Sequence, residues 1–248
     1  MQKHYLQAQL YDAHHNQNLE DLPFWMQWAE EQDGDILELG CGTGRVLRHL
    51  AATPKTVYGI DFDAQMLAYL KTQLPSTLRK NVHLMQADFT AFHLEKRFKL
   101  ILLPCNTLST LTANAQRKAL TCVRQHLSKD GIFVVSMPNP AVLAKLPEKG
   151  EPALEGTFTH PESGEPVQVS SNWACIGKTA IFYWHYDHLL ENGRVMRTTL
   201  STKHYLQSLG EIEGIYDQAG LIIIDRYGDY DRMPYSPKAP YLILSAKI

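Results

Sequence analysis

Residues 36–46, ILELGCGTGRV, limit the possible folds of this chain more than any other stretch. DILELG reads as a buried strand ending in glycine and RVLRHLAA as the helix after it, so Gly40, Gly42 and Gly44 fall where a strand turns into a helix. Glycine in that place allows unusual dihedrals and leaves no Cβ between the backbone and a ligand. The same alternation then repeats. TVYGID is a second strand, followed by a helix with Asp63 as N-cap, Met66, Leu67, Leu70 and Leu74 inward, and Pro75 as a stop. NVHLMQAD and FKLILLP follow as strands, TANAQRKALTCVRQHL as an amphipathic helix with SKDG as its exit, and IFVVSM as a fifth strand. Strands and helices alternating at short intervals imply parallel strands with crossover helices, hence an open doubly wound α/β sheet.

Both flanks differ from this rhythm. Ahead of it, Leu6, Leu10 and Tyr11 share a helical face, and Phe24, Trp25, Trp28 and Ala29 repeat that spacing until EQDGD breaks it. From about residue 150, EPVQVSSNWACIG, KTAIFYWHYDHLLENG and RVMRTTLSTKHYL read as antiparallel strands, with Asn192-Gly193 as a hairpin turn. A last helix, GEIEGIYDQAG, stops at Gly220, and LIIID and YLILSAKI close the sheet. The expected organisation is one domain over 1–248, with a helical cap over about 1–33 and an antiparallel β insertion over about 150–206. The main sheet is expected to be mostly parallel with an antiparallel closing strand.

A net charge of −2 supplies no basic patch for nucleic acid or an anionic membrane, so neither is expected as a partner. The 20% of charged and 44% of hydrophobic residues argue against extensive disorder. The four cysteines, Cys41, Cys105, Cys122 and Cys175, form no CxxC pair, and no metal site is expected. His14 and His15 lack companion ligands at metal spacing and read as a solvated turn. The first residues carry no apolar run of signal-peptide type, so the expected location is the cytoplasm.

The ligand follows from spacing. Asp61, at the end of the second strand, lies 61 − 42 = 19 residues after Gly42. That is close to the roughly 20 at which an acid meets ribose hydroxyls in such folds, so a nucleoside is expected. A dinucleotide fingerprint would place its third glycine where Arg45 stands. Glu38, two residues before the first glycine, would repel a pyrophosphate but suits an amino group, directly or through water.

LELGCGTG resembles motif I of the class I S-adenosylmethionine-dependent methyltransferases, and three further motifs follow in order. YGIDFDAQML looks like their second motif, which implies that Asp61 holds the ribose with Phe62 and Met66 near the adenine. QADFTAF is similar to the third, implying that Asp88 faces the adenine amino group and Phe89 gives a backbone contact. FKLILLPCNTLSTL is similar to the fourth-strand motif, implying that Pro104, Cys105 and Asn106 line the methionine end. GIFVVSMPNP and the late GDYDRMPYSPKAPYLILSAKI resemble a subgroup acting mainly on small molecules, whose N-terminal helices, here with Tyr11 and the DLPFW of Phe24, close over the cofactor. The resemblance implies a Rossmann-like sheet, S-adenosyl-L-methionine as cofactor and S-adenosyl-L-homocysteine as product. The chain departs from many relatives at Lys99, where they carry an acid. LPCN also replaces the N/D-P-P-Y/F motif of enzymes that methylate planar amines.

Methyl transfer from a sulfonium needs alignment and desolvation, with a base only where the nucleophile must lose a proton. In YWHYDH, period two puts Tyr183, His185 and Asp187 on one face and Trp184, Tyr186 and His188 on the other. His185 is the expected base, Phe24, Tyr183 and His204 are expected to touch substrate, and Asn106 to orient the nucleophile. The same residues also suit an ordinary sheet, where aromatics are favoured. The expected reaction is methylation of nitrogen or oxygen on a small-molecule acceptor by a monomer or homodimer. The alternatives are a methyltransferase of protein or RNA, a non-catalytic S-adenosylmethionine-binding protein, and an NAD-dependent oxidoreductase, which the glycine spacing disfavours.

Overall fold

A computed structural model describes the backbone of residues 2–248 and the side chains from Gln7 onward, so the expected inward Leu6 lies outside the described residues. The central sheet holds β1 (Ile36–Leu39), β2 (Val57–Asp61), β3 (Val82–Gln86), β4 (Phe98–Leu103), β5 (Leu127–Pro138), β10 (Ile222–Tyr227) and β11 (Tyr241–Lys247). Its order is β10-β11-β5-β4-β1-β2-β3, and β11 runs antiparallel to both neighbours. The strand order reverses between β1 and β4. Ligands of open α/β sheets bind at that switch point, beyond the carboxyl ends of the strands.

Between the strands run α3 (Leu47–Leu50), α4 (Ala64–Gln73), α5 (Ala113–His126), the short α6 (Pro140–Leu143) and α7 (Leu209–Ala219). Asp63 caps α4 by accepting from the N–H groups of Gln65 and Met66, and Gly220 ends α7 at φ 71°. Two local expectations change. The helix after the glycine turn has only one α-helical turn, Leu47–Leu50, and begins after Gly40, Gly42 and Gly44, all at positive φ. SKDG does not separate α5 from its strand: β5 starts at Leu127, and the four residues bulge out where pairing jumps from Phe98–Leu127 to Leu100–Ile132.

The insertion is a second antiparallel sheet, β6 (Ala153–Thr159), β7 (Pro166–Ile176), β8 (Thr179–Leu189) and β9 (Val195–Tyr205), in sequential order. α1 (Gln2–His15) lies against it, with Leu10 in one apolar cluster with Phe158, Val167, Val169 and Tyr186. α2 (Leu22–Glu31) instead packs Phe24, Trp25 and Trp28 in one apolar cluster with Leu47 of α3 and Leu100 and Val134 of the central sheet. Each such fully buried side chain contributes about 1.5–3 kcal/mol of apolar burial. The expectation that Phe24 touches substrate is corrected here: it is 2% exposed and packed edge-on among Trp25, Trp28, Tyr227 and Tyr230, so it anchors the cap.

Candidate functional site

The glycine turn leaves β1 with Gly40, Gly42 and Gly44 all at positive φ, 66°, 52° and 83°. A Cβ on Gly44 would lie 2.2 Å from Leu70 Cδ1, whereas one on Gly42 would meet nothing within 4 Å. Gly42 therefore borders open space. Its N–H donates to Asp61 Oδ2 at 2.7 Å, and the Asp63 N–H donates to Oδ1 at 2.9 Å. Asp61 is thus fixed at the tip of the turn, 7% exposed, with its pKa raised by burial against the pull of those N–H groups. Each carboxylate oxygen retains a further acceptor position, which suits a vicinal diol.

Glu38 stands inside a strand whose every residue is buried. Its Oε2 has no hydrogen-bond partner, and burial pushes its carboxyl up to about 8 despite the opposing charge of Arg45. A buried, unpartnered acid oxygen beside an open glycine turn fits an amino-acid ammonium. Of the residues expected at the adenine, Phe62 at the end of β2 is 72% exposed and Met66 half-buried. Asp88 is exposed after β3, where it accepts from the Thr90 N–H. Phe89 is buried, and a Cβ on Gly40 would lie 3.7 Å from its ring.

At the end of β4, after the buried Pro104, Cys105 and Asn106 take φ of 60° and 62°, a strained conformation for residues with a Cβ. Both line a cavity of about 540 Å³ that the glycine turn reaches through Arg45. Arg45 grips the Asp21 carboxylate with two N–H groups at 2.6 and 2.5 Å and donates to Cys105 Sγ at 3.2 Å. Asn106 keeps its Oδ1 buried and unpartnered. Cys105 itself is exposed to the cavity.

Three other elements close the cavity. From α1 come Tyr11, His14 and His15; from the insertion Trp184, Thr202 and His204; and from the C-terminal segment Tyr230 and Tyr241. The two histidines of α1 are not a solvated turn. His14 Nδ1 lies 3.0 Å from the Tyr186 hydroxyl, His15 packs edge-on to Tyr11 and Trp184, and burial lowers both pKa values, His15 to about 3. Burial likewise raises Tyr11, which stays a neutral phenol.

The structure places His185 and Tyr183 away from this cavity. Direct pairs of an antiparallel ladder share a face. Trp184 pairs with Ser171 and Leu200, and His204 with Ala180, so the even-numbered side chains of β8 look toward the cap. His185 lies on the other face, spanning Thr199 Oγ1 at 2.9 Å and Asn172 Oδ1 at 3.1 Å, while Asp187 is bound there by Arg197. Period two sorted the hairpin correctly; it carries no sign saying which face meets the cap. The Asp21–Arg45 clamp and Tyr230 and Tyr241 escaped sequence reasoning, since their partners lie far off in the chain. The Tyr11–His15 spacing of one helical turn is a local signal that the two rings share a face of α1. Among the described residues no group of three or more His, Cys, Asp or Glu is placed to hold a metal ion.

Residues 36–131 match the family described as a methyltransferase domain. Among curated proteins, the dTDP-3-amino-3,6-dideoxy-alpha-D-glucopyranose N,N-dimethyltransferase of Streptomyces fradiae is 29% identical over 136 residues, 52% of this chain and 51% of that protein. The chain spans about half the length of the curated relatives it matches. Among solved structures, an S-adenosylmethionine-dependent methyltransferase from Clostridium acetobutylicum superposes with a TM-score of 0.79 at 16% identity, covering 96% of both chains. An amino pentose methyltransferase from Micromonospora echinaspora, involved in calicheamicin biosynthesis and bound to S-adenosylmethionine, superposes with a TM-score of 0.75 at 19% identity, covering 97% of both.

Proposed function

We propose, for a chain that carries a methyltransferase domain of class I fold, that it transfers the methyl group of S-adenosylmethionine to the amine nitrogen of a small molecule bearing no phosphate. When bound, the cofactor supplies an activated methyl group on a sulfonium. Asp61 would hold its ribose, Glu38 its ammonium, and Phe62, Met66 and Asp88 its adenine, with Gly42 leaving room for the chain between them.

The observation that carries the reading is the cavity beside Cys105 and Asn106, walled by Tyr11, Trp184, Tyr230 and Tyr241. Aromatic walls suit an amine in either protonation state. Nitrogen is favoured because the Streptomyces fradiae relative is named as an N,N-dimethyltransferase and the Micromonospora protein as acting on an amino pentose. The charge inventory argues for the missing phosphate. Among the described residues lining the cavity, Arg45 is the one permanent cation, and Asp21 already occupies both arms of its guanidinium. A diphosphate would meet Glu20 and Asp21 with no free cation to offset its charge.

The test is a panel of small amines incubated with the protein and S-adenosylmethionine, with product mass as readout. It includes 3-amino-3,6-dideoxyglucose both free and as its dTDP conjugate. A 14 Da gain on free amines, faster than on any nucleotide-linked form, is the expected result (one methyl replacing one hydrogen). Preference for the dTDP conjugate refutes the phosphate argument, equal labelling of bulk protein or RNA refutes a small-molecule acceptor, and S-adenosylmethionine binding without turnover marks a non-catalytic protein.

A further inference from the structure

We propose that His204 takes the proton from the acceptor amine, with Ser109 locking its imidazole in the tautomer that leaves Nε2 bare; this rests on the reading of an amine as acceptor. His204 sits near the end of β9, 5% exposed, and lines the cavity beside Asn106 and Thr202. Ser109 Oγ lies 2.7 Å from the Asn106 carbonyl oxygen and 2.8 Å from His204 Nδ1. A hydroxyl has one hydrogen to give, and a carbonyl oxygen only accepts. The serine hydrogen therefore goes to Asn106, and Nδ1 must be the donor to Ser109. That leaves the lone pair of a neutral imidazole on Nε2.

The surroundings hold this arrangement. The Asn106 carbonyl is aimed by the left-handed backbone of Cys105 and Asn106, strain of the kind retained at working sites. The Phe182 ring packs edge-on to the imidazole at 5.5 Å and 83°. Burial lowers the imidazole to about 4, so its Nε2 lone pair is free near neutral pH, and the same burial makes the newly formed ammonium more acidic. The other cavity histidines lack such a lock: His14 meets a Tyr186 hydroxyl free to turn either way, and His15 meets rings.

The proton balance is simple. The amine lone pair forms the bond to the methyl carbon as the carbon–sulfur bond breaks and leaves its electron pair on sulfur. The nitrogen, now an ammonium, keeps its N–H electrons while the proton passes to Nε2, and the imidazolium hands it on to water. A second methylation of the same nitrogen needs that lone pair restored, so the base matters most for a dialkylated product.

Two readouts test this. Imidazole ¹⁵N NMR of the protein loaded with S-adenosylhomocysteine should show His204 protonated at Nδ1 and bare at Nε2, with S109A releasing the preference. A proton on Nε2 overturns the proposal with no acceptor needed. On the best amine of the panel, H204A should lose roughly 10²–10⁴-fold in kcat, a far larger change than any in its S-adenosylmethionine affinity. Added imidazoles should restore turnover in order of their basicity. H204A as active as wild type, or a folded H204A and H204Q that no imidazole rescues, overturns it. Wild-type protein inactive on every amine counts against the proposed function instead, and the NMR result still decides the tautomer.

Discussion

Gly42 and Gly44 share a left-handed backbone but serve different ends, and substitution should separate them. G42A pays only for a Cβ in that conformation, about 1–2 kcal/mol, whereas G44A must also drive Leu70, a fully buried side chain, from a 2.2 Å contact, an overpacking cost of about 1–3 kcal/mol more. We expect urea unfolding to show the larger loss for G44A and calorimetry to show the larger loss of S-adenosylmethionine affinity for G42A; the reverse order would mean the open space at Gly42 is not the ligand's. Glu38 gives a proton-linked signature. Its folded pKa of about 8 keeps it largely protonated near neutral pH in the free protein. An ammonium needs the carboxylate, so the bound state holds fewer protons and affinity should rise between about pH 6 and 8. Calorimetry in two buffers of different ionisation enthalpy should detect proton release that E38Q abolishes, and absent release or proton uptake would remove Glu38 from the ammonium. The place of Asp61 beside the glycine turn was legible because it depends on a local spacing, as was that of the acid at 38 inside β1. Arg45 was legible only as a glycine missing from another fingerprint, since its partner Asp21 is fixed by how α2 docks.

At the scale of elements, the cap is tied to the turn by ion pairs. Asp21, at the head of α2, binds Arg45 and also accepts from the Trp25 indole N–H at 2.9 Å, while Asp12 of α1 binds Arg48 at 2.9 Å. With side-chain exposures of 11% and 9%, the Arg45–Asp21 pair is nearly dry. Removing one partner strands the other, so D21A should cost about 3 kcal/mol in urea unfolding. The double variant D21L/R45M, which removes both charges together, should cost clearly less; an equal or greater loss would show that the pair stabilises beyond what its own desolvation costs. The strands of the insertion were legible from alternation and from Asn192-Gly193, and so were their two faces. Which face covers the site was not, because that depends on α1 lying against Phe158, Val169 and Tyr186, contacts no period encodes. The expectation for His185 failed on that one binary choice.

For the whole molecule, the alternation that opens at Ile36 was enough to read a doubly wound sheet, since parallel strands with crossover helices have few other arrangements. The cavity was not legible, because it gathers side chains from α1, the end of β4, the insertion and the C-terminal segment. No helix among the described residues is long and apolar enough to cross a membrane. The central claim is that the glycine turn, Asp61 and Glu38 together form an adenosyl amino-acid site. Its most direct test is calorimetric titration of the purified protein with S-adenosylhomocysteine and, separately, NAD, repeated on D61A. The account expects saturable one-site binding of S-adenosylhomocysteine, no heat from NAD, and at least a tenfold loss in D61A, the weight of one charged hydrogen-bonded contact of about 1.5–3 kcal/mol. Binding of NAD without S-adenosylhomocysteine, or undiminished affinity in D61A, would contradict it.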